Sequence, residues 1–236
     1  MPFPSRTALA AAAAALILAG CGPDRPEFTG PAGTPQQAPQ AEAPATDALS
    51  AQADPAWVER VASDAEIPAR AVAAYAGADL RVRAEEGCSV GWNTLAGIGR
   101  IESRHGAIFG GRIGDDGRAT SDIIGIPLDG TNETLAIEDT DGGVLDGDTE
   151  WDRAVGPMQF IPETWQRWGA AADGDGPGDP QNIDDAALAA ARYLCSVGES
   201  GLDDEQDWIA AVRTYNDSRD YQFDVAAASQ EYGHHG

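Results

Sequence analysis

The stretch Val90-Gly91-Trp92-Asn93-Thr94-Leu95-Ala96-Gly97-Ile98-Gly99-Arg100-Ile101-Glu102-Ser103-Arg104-His105-Gly106 decides the fold class. Trp92, Leu95, Ala96, Gly99 and Glu102 recur at the i, i+3, i+4, i+7 spacing of a helix with one face turned inward. Gly106 suits its stop. Upstream, Trp57, Val58, Val61 and Ala62 begin a helix behind Asp54-Pro55, where Pro55 fits the first turn, and Ile67-Pro68 through Tyr75 reads as a second. Downstream, Pro162 to Trp168 is a short helix ending at Gly169, Asp184 to Val197 an Ala-rich amphipathic one, and Asp207 to Tyr215 another. No alternating strands of any length appear. The expected fold is therefore mainly α, with one small hairpin inside a long acidic loop. That loop, Asp115 to Asp152, holds twelve acids and one Arg, and a loop of such length in a compact domain is functional or disordered.

Composition narrows the function classes. The 236 residues carry 39 Asp plus Glu against 15 basic residues, a formal net charge of -24. All the basic residues are Arg. Such a chain lacks the cationic footprint that nucleic-acid binding needs, and it has no unaided grip on an anionic bilayer. With 42% hydrophobic residues and six Trp, it has enough apolar surface for a real core.

Residues 1–20 read as an address. Arg6 gives a positive start, and the apolar run from Ala8 to Leu18 is too short to span a bilayer as a permanent helix. It ends in Leu18-Ala19-Gly20-Cys21, which resembles the lipobox of bacterial lipoproteins, with Cys21 as the acylated residue; an ordinary signal peptide with an incidental Cys is the alternative. Residues 21–54, rich in Pro, Ala, Gln and Gly, are expected to be a disordered tether. The folded domain is set at residues 55–233. With Cys21 acylated, Cys88 and Cys195 remain as an even pair in an oxidising compartment, read as a disulfide or as two reduced core thiols.

The chemistry centres on Glu102, near the end of an apolar helix and on its inward side. A carboxyl held in an apolar cleft has its pKa raised by desolvation, as a general acid for a glycosidic oxygen requires. A helix Glu paired with Arg100 or Arg104 is the competing structural reading. Downstream stand Ala154-Val155-Gly156-Pro157-Met158-Gln159-Phe160-Ile161-Pro162-Glu163-Thr164-Trp165, Asp179-Pro180-Gln181-Asn182-Ile183-Asp184-Asp185-Ala186, Ala191-Arg192-Tyr193-Leu194 and Ala211-Val212-Arg213-Thr214-Tyr215-Asn216.

In this order the motifs resemble the lytic transglycosylase domain of the membrane-bound B family, here as an actinobacterial-type lipoprotein, over about Ala56 to Tyr232. The resemblance implies a lysozyme-like (goose-type/transglycosylase) helical domain. It makes Glu102, in its Glu-Ser pair with Ser103, the catalytic acid and then base, and Ser103 a substrate-binding residue. It makes Gln159 and Phe160 lining residues near an N-acetyl group and sugar ring, and Tyr193, Tyr215, Asn216 and Tyr221 the walls of a groove. Those residue types suit a saccharide, since aromatic faces stack on sugar C–H surfaces and amides offer both donor and acceptor to an acetamido group. The plain alternative for Tyr193, Tyr215 and Phe160 is core packing.

The implied reaction cleaves the β-1,4 bond between N-acetylmuramic acid and N-acetylglucosamine in peptidoglycan and closes a 1,6-anhydro ring, without the second carboxylate that most glycosidases use. Asp148, Glu150 and Asp152 are the candidates for such a partner carboxylate. No cofactor is required. Calcium is the one metal to consider, because Ala171-Ala172-Asp173-Gly174-Asp175-Gly176 resembles the start of an EF-hand-like loop, with Asp173, Asp175 and Asp185 as ligands but Ala171 at the first ligand position. Asp139-Thr140-Asp141-Gly142-Gly143 and Asp146-Gly147-Asp148 are further acidic groupings. The expected protein is a monomer outside the cytoplasm, held to the membrane by a lipid anchor, acting on glycan strands and binding no nucleic acid. The alternatives are a non-catalytic peptidoglycan-binding lipoprotein and a muramidase that adds water.

Overall fold

A computed structural model describes residues 29–131, 134–174, 176–197 and 201–236. The leader at 1–20, Cys21 and Asp175 lie outside the described residues. Among the described residues seven α-helices and one hairpin follow in order: α1 (Pro55–Asp64), α2 (Ala69–Glu86), α3 (Trp92–Ser103), β1 (Ile124–Pro127), β2 (Arg153–Val155), α4 (Pro162–Trp168), α5 (Ile183–Cys195), α6 (Glu205–Tyr215) and α7 (Arg219–Gly233). The mainly α expectation is the observed class.

Two central helices carry the core. α2 packs on α5, α3 packs on α7, and α2 and α3 pack on one another. Ala71, Val72, Ala74, Tyr75, Ala76 and Ala78 bury almost the whole girth of α2, and Ala186, Ala187, Ala189, Ala190 and Ala191 do the same for α5. Small side chains let these helix axes approach closely. Trp92, Trp208 and Leu95 then fill the space beside them. The side chains of Asp54, Asn182, Asp204 and Ser218 each accept from backbone N–H groups in the first turn of the helix that follows. No helix among the described residues is long and apolar enough to cross a membrane.

The structure differs from the sequence reading at four places. α2 runs on past Tyr75 to Glu86: its interior tolerates Gly77 at a cost of about 1 kcal/mol, and nothing after it breaks the helix until Gly87, which caps it in the left-handed conformation. α7 has no counterpart in the sequence reading. Its inward stripe mixes Tyr221, Val225, Ala228 and Tyr232 with the buried polar residues Gln222 and Ser229, so its apolar periodicity is weak. The hairpin pairs Ile124 with Val155 and Pro127 with Arg153, so its second strand lies just beyond the acidic loop.

The fourth difference is the tether. Residues 29–54 lie on the domain instead of trailing free. Gln36 N donates to Asn93 Oδ1 at 2.7 Å, Asn93 Nδ2 donates to Thr34 O at 3.0 Å, and Gln222 Nε2 donates to Pro31 O at 2.9 Å. Leu49 is fully buried, and a Cβ on Gly77 would collide with its carbonyl oxygen. A Pro-rich strand poor in apolar side chains orders here because its backbone groups bond to buried amides of α3 and α7. The Cys88–Cys195 disulfide is formed, linking the loop after α2 to the end of α5 across a separation of 107 residues.

Candidate active site

Glu102 occupies the last turn of α3. Immediately after it, Arg104 and His105 take left-handed backbone conformations (φ 53° and 57°), which turn the chain off the helix axis. Ser103 holds this corner. Its buried Oγ donates to Pro157 O at 2.6 Å and accepts from Gly106 N at 2.8 Å, fastening the Gly156–Gln159 turn to α3. The hydroxyl is thus engaged by protein groups, and Ser103 positions its neighbours.

Behind Glu102 lies a buried polar stack. Tyr75 OH is 3.2 Å from His105 Nδ1, and His105 Nε2 is 3.0 Å from Tyr232 OH. Burial, helped by nearby Arg100, pushes the His105 pKa down to about 4. The ring is therefore neutral, with one nitrogen donating and the other accepting. Gly99 is required here, since a Cβ would collide with the Tyr75 hydroxyl.

The Glu102 carboxyl accepts a hydrogen bond from Tyr221 OH at 2.5 Å on Oε1. Protein atoms crowd the carboxyl while the side chain keeps a partial solvent face. Burial raises its pKa to about 7, against the opposing pull of the Tyr221 hydrogen bond. Tyr215 and Tyr221 are themselves pushed well above the usual phenol value, by burial first and then by Glu102, so the carboxyl sits among neutral phenols. The ion-pair reading is not what forms. Arg100 pairs with Glu231 at 2.8 Å, and among the described residues no cation lies within 4.0 Å of Glu102.

Two cavities meet at Glu102. The smaller, about 170 Å³, is lined by Gln159, Phe160, Tyr193, Tyr215 and Asn216, so the structure brings these predicted residues together around the carboxyl. Phe160 stacks edge-on against Trp165 and Tyr215, with ring centres 5.3 and 5.7 Å apart. The Tyr215 hydroxyl donates to Met158 O at 2.8 Å, and that of Tyr193 to Thr214 O at 2.9 Å. Gln159, at a left-handed φ of 49°, donates to Gly156 O at 3.0 Å. Sequence reasoning missed Trp168, which stacks on Tyr193 at 5.7 Å and extends the aromatic wall. Its place one helical turn beyond Trp165 was the available signal. It also missed the larger cavity, about 730 Å³, which opens on the other side of Glu102 toward Glu66, Arg104, Ile108 and Tyr232.

The acidic candidates lie elsewhere. Asp148 is held by Arg153 at 2.9 Å, and Asp152 is buried against the backbone and hydroxyl of Thr140. With Glu150, Asp148 lines a separate cavity of about 430 Å³, so none of the three faces Glu102. Asp139, Asp141 and Asp152 cluster closely enough to share an ion, yet their oxygens accept from the turn's own N–H groups. In the expected calcium loop, Asp185 accepts from Ala172 N and Asp179 N, both at 2.8 Å. Asp185 thus closes the turn through the turn's own backbone, and Ala171 stands at the first ligand position.

A family model described as "Transglycosylase SLT domain" matches residues 135–233. That segment includes Gln159, Phe160, Tyr193, Tyr215, Asn216 and Tyr221, and leaves Glu102 upstream of it. No curated protein matches. Among solved structures, the chain is similar to the Escherichia coli lytic transglycosylase Slt35 in its complexes with bulgecin A and with calcium. Each is 14% identical with a TM-score of 0.43, covering 76% of this chain and 77% and 78% of those chains. A transglycosylase domain is an enzyme domain, and residues 135–233 carry the match to one.

Proposed function

We propose that the protein is a lytic transglycosylase of the membrane-bound B-like type, which cleaves the β-1,4 bond between N-acetylmuramic acid and N-acetylglucosamine in peptidoglycan and leaves 1,6-anhydro ends. The observation that carries this reading is a carboxyl poised near neutrality, pKa about 7, at the junction of two cavities, one of them walled by Phe160, Tyr193 and Tyr215. The transglycosylase match over the groove residues supports it.

In the proposed reaction the protonated Glu102 gives its hydrogen to the bridging oxygen as the bond from C1 of the muramoyl residue breaks. The aromatic walls orient the sugar, and Gln159 and Asn216 offer amides to the acetamido group, whose oxygen stabilises the cationic C1. Glu102 is now ionised and steadied by the Tyr221 hydroxyl. It takes the proton of the sugar's own 6-hydroxyl as O6 bonds to C1. No water is consumed, and Glu102 ends protonated for the next turnover. Among the described residues no other carboxylate lines the smaller cavity, while Glu231, paired with Arg100, and Glu66 line the larger one. No cofactor enters any step.

The same reading puts the protein outside the cytoplasm, a monomer tethered through acylated Cys21. The Cys88–Cys195 disulfide agrees with an oxidising compartment. Mass spectrometry of products from isolated sacculi tests the activity. Anhydro-muropeptides, lost on Glu102→Gln, are the expected result; products one water heavier mean a muramidase, and unchanged sacculi with bound protein mean a binding lipoprotein.

A further inference from the structure

Gly30 to Gln37 form a strap that meets the domain chiefly through its carbonyl groups. Pro31 and Pro35 have no N–H to give, and Gly30, Ala32 and Gly33 offer little side chain. Three of the carbonyls take side-chain amides in turn: Pro31 O from Gln222 at 2.9 Å, Ala32 O from Gln230 at 2.8 Å and Thr34 O from Asn93 at 3.0 Å. Gln36 closes the far end, its N–H donating to Asn93 Oδ1 at 2.7 Å and its carbonyl accepting from Trp92 N at 3.1 Å. The strap is tightly seated. A Cβ on Gly33, itself buried, would lie 2.6 Å from Ser229 Oγ and 2.7 Å from the Trp208 ring.

These amides belong to the two helices that build the acid site. α3 and α7 run in opposite directions, with Asn93 on Ser229 at 3.0 Å near one end and Tyr221 on Glu102 at 2.5 Å near the other. Between these points Gly97 brings the backbones together, since a Cβ there would come within 3.1 Å of Val225 O. The strap spans the same length, from Gln222 at the Tyr221 end to Asn93 at the other.

Gln222 is fully buried and follows Tyr221 directly in the chain. Its Nε2 is held by Pro31 O, and its Oε1 meets no donor among the described residues. Without the strap, both ends of a buried amide would be left unpaired, so this turn of α7 is seated by the strap. Neither the strap nor Gln222 lines either cavity at Glu102. Their influence on the carboxyl runs through the Tyr221 hydroxyl, whose hydrogen bond favours the ionised form.

We propose that the strap is a positioning element of the active site, and that Gln222 is the residue through which it holds Tyr221 against Glu102. The role rests on Glu102 being the acid of the proposed reaction.

The test is the titration of Glu102 in the full-length protein, followed by carboxyl-carbon NMR and assigned by the signal that Glu102→Gln removes. Gln222→Met keeps the side chain's length and deletes the amide. Gly33→Val pushes the strap off Trp208 without altering α7. Each is expected to raise the Glu102 midpoint by about half to one pH unit, and to raise it no further when added to Tyr221→Phe. The alkaline limb of kcat/KM on sacculi should follow the midpoint. A midpoint unmoved in the folded variants, or one that moves equally in the Tyr221→Phe background, overturns the assignment. Gly33→Ala, the milder change, replaces any variant that loses its near-ultraviolet circular dichroism. The titration needs no turnover, so failure of the catalytic reading shows separately, as no muropeptide release by the unmodified protein.

Discussion

Replacing Glu102 by Gln should make the protein more stable at neutral and alkaline pH while abolishing muropeptide release. The carboxyl's folded pKa is raised from 4.5 to about 7, chiefly by burial. In the unfolded chain the group ionises near its ordinary value, so between these two values the folded state binds the extra proton. Stability contributed by Glu102 therefore falls as pH rises through this window and stays low above it. The gap corresponds to about 3 kcal/mol at most, since one pKa unit is about 1.4 kcal/mol. The glutamine of the Glu102→Gln variant would keep an acceptor oxygen for Tyr221 and never ionise. Its advantage should be absent near about pH 4.5 and reach its plateau near about pH 8, where it is worth roughly 6 to 12 °C in Tm for a domain of this size. Thermal unfolding of both proteins across this range, followed by circular dichroism, reads the difference. A pH-independent gain, or a variant less stable than the parent at about pH 8, refutes the claim that Glu102 is a desolvated acid.

Three further outcomes follow from the same geometry. Tyr221→Phe removes the hydrogen bond that holds the Glu102 pKa down. The alkaline limb of kcat/KM on sacculi should then move upward by about one pH unit, and a limb that stays or moves to lower pH counts against the bond. Ser103→Ala strands Pro157 O and Gly106 N; it should lower stability by about 1–3 kcal/mol in urea titrations and raise KM as the Gln159 turn loosens. Asp148 has its pKa lowered by N–H groups of Glu150 and Trp151 first and by Arg153 next. Its contribution is present above the ordinary carboxylate pKa and is lost as pH falls through the depressed one. Amide exchange at Glu150 and Trp151, corrected for intrinsic rates, should lose protection in acid while α3 keeps its own.

What the sequence made legible follows from how locally each feature is determined. α3, α4, α5 and α6 are encoded by apolar stripes and by Asp, Asn or Gly at their ends, signals that act over a few residues. Glu102 could be singled out because its helix is apolar enough to make a lone carboxyl conspicuous. α7 was illegible because Gln222 and Ser229 occupy core positions, where the Gln222 amide nitrogen bonds to Pro31 O and the Ser229 oxygens to Asn93, partners far away in the chain. The ordered stretch 29–54 was illegible for the complementary reason: its own composition predicts disorder, and its partners lie some sixty to two hundred residues away. The aromatic wall was read through the resemblance. Periodicity alone makes Tyr193 and Tyr215 core residues, and their ring contacts with Phe160 and each other show that they are partly that as well.

The acidic loop shows the same logic with charge in place of apolar surface. Twelve acids between Asp115 and Asp152 read from composition as a solvated, irregular loop. The chain instead forms a ribbon, with Asp129 opposite Ala136 and Glu138 opposite Trp151. Its carboxylates stand in for a hydrophobic core: Asp139 accepts from the backbone of Asp141, Gly142 and Gly143, Asp141 from Val144 and Leu145, and Asp146 from Asp148 and Arg153. A carboxylate that accepts backbone N–H groups satisfies donors that would otherwise need water, and it does so at positions where Gly142, Gly143 and Gly147 supply left-handed turns. The insert's negative charge thus holds the loop's own backbone together. Glu102 stands in the opposite environment: its carboxyl is desolvated and has the Tyr221 hydroxyl in place of a set of backbone donors, so its pKa of about 7 leaves it able to give a proton away near neutrality.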